Sequence, residues 1–365
     1  MFRRTLQVAL LAIILMANLS CESQTPKFPP NLSGMLAMTV DLEDGYQVFL
    51  LKKEDKDVVK LPDSTSRPCF DRAGENLYYT HNMTVGTTAE GLLDANQITR
   101  LILETGQMVR LSDGTGNDDA AAPHPFKDLV AFVSFPVPPK SPEDKHWRIY
   151  LMTKEGKNRH LMEPGGPVSQ MDPSWSPDGT KIAYVYRTDA TTMEQVADKV
   201  RAAKEKEGLD KKACDLEILK LMTGLYRSTL RVYDFDTQTG RDILPTDIYV
   251  AYPSWSPRGD LIAFTFIEKS QKSIYTVRPD GSGMKGVTSG PDDDQATWTP
   301  DGKKLVFSRG TDTKTTRIIC EVDLETNQVR TLVDGIQALT AHKGKIAFEY
   351  PHLYFDVAMP PQASK

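Results

Sequence analysis

No run in this chain approaches the roughly 20 apolar residues that a membrane-spanning helix needs, and its most apolar run, Val8 to Met16, is far too short. Basic excess is also missing. With 44 Lys and Arg against 49 Asp and Glu, the net charge is -5, which argues against nucleic acid as a partner. Cysteine is scarce, four in 365 residues, and no two stand at the close spacing of a zinc site or a disulfide framework. A Gly-x-Ser-x-Gly nucleophile elbow is absent. Aromatic residues are not scarce: 13 Tyr, 13 Phe and 4 Trp supply enough apolar area to rule out disorder.

The first residues have the order of an export signal. Arg3 and Arg4 precede the apolar run, and Asn18-Leu19-Ser20-Cys21 follows it. Ser20-Cys21 resembles the lipobox of bacterial lipoproteins, with Asn18 where that family usually has Leu. The expectation is a signal peptide over 1–20, acylation of Cys21, and a Pro-rich tether over 21–34 holding a domain at a membrane surface.

Internal repetition decides the architecture. Pro173-Ser-Trp-Ser-Pro-Asp-Gly179 with Ile182-Ala-Tyr184 recurs as Pro253 to Gly259 with Ile262-Ala-Phe264, and as Ala296 to Gly302 with Leu305-Val-Phe307. Weaker copies begin at Pro68 and Pro123, and a last one runs from Thr340 to Phe348. Each reads as strand, tight turn, buried strand, because Pro-Asp-Gly supplies turn chemistry and the apolar triplet a core strand. A second hairpin lies between copies, for example Thr229 to Phe235 with Asp242 to Leu244. Four antiparallel strands per period predict an all-β fold, a β-propeller spanning 35–358. Six blades are expected if the two chain ends share one blade and so remove an exposed edge, and seven if Met35 or His352 begins a further blade.

The Trp-Ser-Pro-Asp-Gly-x-x-Ile-Ala-Phe string resembles the TolB-type propeller repeat. That resemblance implies a protein-binding propeller in the bacterial envelope. About a dozen residues separate Cys21 from the first strand, too few for the α/β domain that precedes the propeller in TolB itself. Residues 187–227 break the period. Their spacing predicts two helices, with Thr191-x-x-Glu194 as a capping box and Gly208 and Gly224 as stops, hence a helical insertion within the third repeat.

Up-and-down counting of strands brings one set of loops to a single face, together with Asp118, Asp119, Asp172, Asp292, Asp293 and Asp294, the helical insertion, and the segments 81–96 and 136–146. Such an acidic mouth would attract a basic peptide or a channel cation such as calcium, with His124 beside it. No cofactor and no catalytic or metal residue is assigned. The expected protein is a non-enzymatic, monomeric scaffold for an envelope protein or peptide, on the periplasmic side of a membrane, most simply the outer one. A rival from another class is a metal-assisted polysaccharide lyase of the oligogalacturonate type, using His81, His124 and His342, although no two of these have the local spacing of metal ligands. Gly281-x-Gly283-x-x-Gly286 matches a dinucleotide fingerprint by letter only, since a strand and not a helix follows it.

Overall fold

A computed structural model describes residues 35–42, 45–52, 58–88, 91–137, 146–163, 168–187, 202, 228–246, 248–268, 271–290, 292–310, 317–333 and 355–357. The strands fall into six four-stranded antiparallel sheets, the blades of a propeller.

Blade 1 opens with β1 (Met35–Leu42), β2 (Gly45–Lys52) and β3 (Val58–Asp63). Blade 2 is β4 (Thr65–Phe70), β5 (Asn76–Thr88), β6 (Gly91–Ile102) and β7 (Gln107–Arg110). Blade 3 is β8 (Gly116–Pro123), β9 (Val130–Pro136), β10 (Arg148–Met152) and β11 (His160–Leu161). Blade 4 is β12 (Ser169–Trp175), β13 (Lys181–Arg187), β14 (Ser228–Asp234) and β15 (Thr239–Asp242). Blade 5 is β16 (Tyr249–Trp255), β17 (Ile262–Glu268), β18 (Gln271–Val277) and β19 (Lys285–Gly286). Blade 6 is β20 (Asp293–Trp298), β21 (Lys304–Gly310), β22 (Arg317–Asp323) and β23 (Val329–Val333). Finally β24 (Phe355–Val357) returns to pair with β1, giving blade 1 the order β24-β1-β2-β3.

The two chain ends therefore share a blade, and the count is six. The closing strand is Phe355–Val357, whereas the last repeat copy, Thr340 to Phe348 with His342, lies outside the described residues. Closure is also made by side chains. Leu36, Met38 and Phe49 of blade 1 pack in one buried cluster with Trp298, Leu305 and Phe307 of blade 6. The remaining clusters likewise join neighbouring blades, so each sheet buries a face it could not bury alone.

The turn string acts as its letters suggest. The Gly179 amide donates to Ser176 O at 2.9 Å with φ +72°, and Asp178 Oδ1 accepts from the Thr180 amide at 3.0 Å. Gly259 and Gly302 close the equivalent turns onto Ser256 and Thr299. A side chain at Gly179 would also collide with the His124 ring, so this glycine is required twice over.

Three further sequence expectations change or fall outside the described residues. Residues 81–96, expected as a loop, are paired strand on both sides of 89–90. Asn82 faces Asn96 and Thr84 faces Asp94, with side-chain hydrogen bonds of 2.9 and 2.7 Å, so the Thr-rich run extends the β5–β6 hairpin beyond its neighbours. The predicted helices in 188–227 lie outside the described residues apart from Ala202, as do the N-terminal 34 residues with Cys21.

Candidate functional site

Each of the five fully described innermost strands carries a β-bulge at the same place, where two residues oppose one on the second strand. The first residue of each bulge has a left-handed φ near +50°: Arg67, Ala120, Asp172, Tyr252 and Gln295. Opposite stand Tyr79, Phe132, Tyr184, Phe264 and Phe307, all fully buried. These aromatics are the third residues of the apolar triplets, and the extra bulge residue rides over them toward the propeller axis. Positive φ is costly for residues with a Cβ, and its repetition in five blades marks a feature of the fold, not a local accident.

On the axis, the variable bulge residues meet. Arg67 of blade 2 reaches Asp119 of blade 3 at 3.0 Å and Asp172 of blade 4 at 2.7 Å, with its guanidinium 5.9 Å from the Tyr252 ring of blade 5. One arginine thus bridges four blades across the channel. Asp119 is held further by the Thr80 hydroxyl at 2.6 Å and the Ala120 amide at 2.8 Å.

The six aspartates predicted to form an acidic mouth do gather at this upper end, where the innermost strands begin, but the structure gives each a cation. Asp118, fully buried, takes Arg159 at 2.9 Å and the Ser134 hydroxyl. Asp293, equally buried, is gripped by Arg309 through two bonds of 2.6 and 2.9 Å. Asp294 takes Lys272 at 2.7 Å and the Thr265 hydroxyl at 2.9 Å, and Asp292, half exposed, takes Arg317 at 2.6 Å. Burial acts to lower the Lys272 pKa, and Asp294 and Asp292 outweigh it, so its ammonium is held above the ordinary lysine value. Five cations against six carboxylates leave little net field there. The cations Arg67, Arg159, Lys272, Arg309 and Arg317 were not singled out in the sequence, because they come from outer strands or from the variable bulge position.

His124 lies at the other end, just past β8. Its Nε2 meets Gly179 O at 3.1 Å, its Nδ1 accepts the Phe126 and Lys127 amides at 3.0 and 2.9 Å, and its ring packs 4.5 Å from that of Trp175. It is a buried turn residue whose pKa is lowered, chiefly by desolvation. His81 pairs with Thr65 at the upper end of blade 2. The two described histidines of the metal hypothesis thus sit at opposite ends of the propeller, His81 on a second strand and His124 just past an innermost one. Among the described residues no three His, Cys, Asp or Glu approach closely enough to hold a metal.

Below the Arg67 bridge the channel encloses about 370 Å³ and opens where the Pro-Asp-Gly turns lie. Its wall is more apolar than polar, with Pro68, Pro173 and Pro253 beside the bulges, Trp175, Trp255 and Trp298 further down, and Ser174 and Ser254 between them. Trp175 Nε1 donates to Ala122 O at 3.0 Å and Trp298 Nε1 to Ser254 O at 2.9 Å, each tying its blade to the preceding one.

Comparison with known proteins agrees with this architecture. No family model matches the chain. A 57-residue stretch is 49% identical to the Tol-Pal system protein TolB of Gluconobacter oxydans, covering 16% of this chain and 13% of that protein. A 150-residue stretch is 34% identical to an uncharacterized protein of Agrobacterium fabrum, covering 40% of this chain and 45% of that one. The chain thus spans less than half the length of either relative. Among solved structures, TolB from Acinetobacter baumannii superimposes with a TM-score of 0.58 at 13% identity, over 84% of this chain and 65% of that one. The fold is that of TolB-type propellers. An oligogalacturonate lyase in complex with manganese also shares it, with a TM-score of 0.52 at 17% identity over 82% of this chain and 74% of the lyase. A TolB-type fold by itself therefore does not choose between binding and catalysis, and the site has to.

Proposed function

We propose that this protein is a non-enzymatic binding scaffold of the cell envelope, exported by its N-terminal signal, anchored through an acylated Cys21, and taking a protein or peptide through the mouth of its propeller. The observation that carries this reading is the division of the channel. Its upper end is locked by Arg67 and paired aspartates, while its lower end opens between stiff Pro and Trp walls, a concave apolar surface of the kind that receives ligands. Similarity of a short stretch to a Tol-Pal system protein supports an envelope setting and a protein partner. No described cluster of side chains offers the rival lyase reading its metal.

The test is capture from envelope extracts by the immobilised full chain, set beside a variant with the channel narrowed by Ser254→Phe and one lacking 188–227. Capture lost in the first variant, with thermal stability kept, supports the channel. Loss in the second alone moves recognition to the insertion. A purified protein carrying a stoichiometric transition metal that disappears with His124→Ala overturns the scaffold reading. Anchoring is tested separately. Cys21→Ser should release the protein from membranes or leave it unprocessed, and an unmodified cysteine in the mature N-terminus would sink that part.

A further inference from the structure

Gln295 is the anomaly of the channel. It occupies the bulge position of blade 6, lines the channel, and is only 6% exposed. Its backbone amide is satisfied by Thr265 Oγ1 at 3.0 Å. Its side-chain Oε1 and Nε2 are both buried and find no partner. Leaving such groups unpaired costs on the order of 1–3 kcal/mol each, and a leucine of similar size would avoid the cost. Among the other bulge residues that line the channel, Arg67 and Asp172 are engaged with each other. A second buried donor on the same channel wall, Trp255 Nε1, also has no acceptor, although Trp175 and Trp298 each find one at the equivalent place.

We propose that the blind end of the channel is a binding site for a neutral amide, with Gln295 as its specificity-determining residue. A carboxamide or backbone peptide unit presents one donor and one acceptor on a single edge, and this satisfies both atoms of the glutamine amide at once. Charge argues against the alternatives. A carboxylate accepts only, so the Gln295 oxygen would stay unpaired, and the Arg67 guanidinium that shares the channel is already taken by Asp119 and Asp172. A cation donates or is coordinated but accepts nothing, so it would leave the amide nitrogen without an acceptor. Proline walls donate no backbone hydrogen bonds, so the glutamine becomes the polar anchor for a group entering between apolar surfaces. The inference rests on the binding reading above only for the origin of the amide.

The experiment uses the full chain, labelled with nitrogen-15, and follows the Gln295 side-chain amide signal, which is assigned by its loss in Gln295→Leu. The probes are N-acetylglycinamide, acetate, methylammonium and glucose at equal concentration and ionic strength. The expected result is a saturable shift with N-acetylglycinamide alone. Binding of that probe, followed on other channel signals, should weaken by about tenfold in Gln295→Leu, the worth of a doubly hydrogen-bonded amide. The same variant should melt at an equal or higher temperature, as expected when a binding group is kept at the expense of stability. A preference for methylammonium or glucose, equal affinity in the variant, or a lower melting temperature would overturn the proposal. Amide binding without capture of any envelope protein keeps this site and removes the scaffold reading, and the reverse result removes this site alone.

Discussion

The two ends of the channel are built from the same five bulged strands, yet one is held by charge and the other by rings. At the upper end the residues before and at each bulge differ from blade to blade, and carboxylates meet cations both within a blade, as Asp118 with Arg159 and Asp293 with Arg309, and across blade boundaries, as Asp119 and Asp172 with Arg67 and Asp294 with Lys272. At the lower end the Trp and Pro positions repeat, and an indole N–H to the preceding blade's carbonyl does the joining. The difference teaches that clustered acids in a sequence do not make an acidic surface. What reaches solvent depends on cations that the sequence places far away, and the lower end, marked in the sequence by turn chemistry and not by clustered charge, holds a cavity.

If the upper end is structural, breaking one of its pairs should be the most damaging change. Arg309→Ala leaves the fully buried Asp293 carboxylate without its bidentate partner, and should cost roughly 3–5 kcal/mol in urea unfolding. Adding Asp293→Asn should recover most of the loss. A cost below that of an exposed ion pair would mean that solvent reaches this end and that the acids remain available to ligands.

The lower end offers a finer test, because two equivalent tryptophans differ in one bond. Trp298→Phe removes a hydrogen bond to Ser254 O, whereas Trp255→Phe removes an indole N–H that had no acceptor. Both lose ring volume, so the first should be more destabilising by about 1 kcal/mol in paired denaturation curves. Equal losses would show that the indole bond does not join the blades.

The fold was legible because its constraints are local and repeated. Pro-Asp-Gly needs only its own turn, and the triplets ending in Tyr184, Phe264 and Phe307 need only a buried strand, so three strong copies sufficed to place the weaker ones. The site was half legible. Strand counting put Asp118, Asp119, Asp172 and Asp292 to Asp294 at one end, but pairing with Arg159, Lys272 or Arg317 depends on side chains from other strands and neighbouring blades. Of the bulge residues only Asp172 was singled out, although a signal for the others existed. Arg67, Tyr252 and Gln295 share with Asp172 the one variable position beside an otherwise constant string, as an axis-facing residue should. His124 misled because it follows an innermost strand directly, while its ring is committed to the Gly179 turn.

Acid should loosen the lower end by a modest amount. Burial lowers the His124 pKa in the folded chain, so the unfolded state binds the proton more readily near the ordinary histidine value of about 6.5. The stability contributed by neutral His124 is therefore complete above that value and declines as pH falls through it. His81, lowered by the same cause, acts in the same direction. Unfolding free energy should fall between about pH 7 and 5, and the decline should be shallower in His124→Gln. A His124 titration midpoint at or above 6.5 by proton NMR would contradict the buried, neutral assignment.

The smallest expected effect falls at the midpoint between the two ends. Tyr79 lies opposite the Arg67 bulge, and its buried hydroxyl finds no partner, while the equivalent places in three other blades hold Phe132, Phe264 and Phe307. Burial pushes its phenol pKa up to about 12, which gives it no charge to offer the channel in any ordinary buffer. Removing an unpaired buried hydroxyl while keeping the ring relieves a desolvation cost and opens no cavity larger than one oxygen. Tyr79→Phe should therefore leave stability unchanged or raise it slightly, with Arg67 still bridging Asp119 and Asp172. A loss above about 1 kcal/mol would mean that the hydroxyl holds the bulge in place, and that the Arg67 lock depends on the strand behind it as well as on its two aspartates.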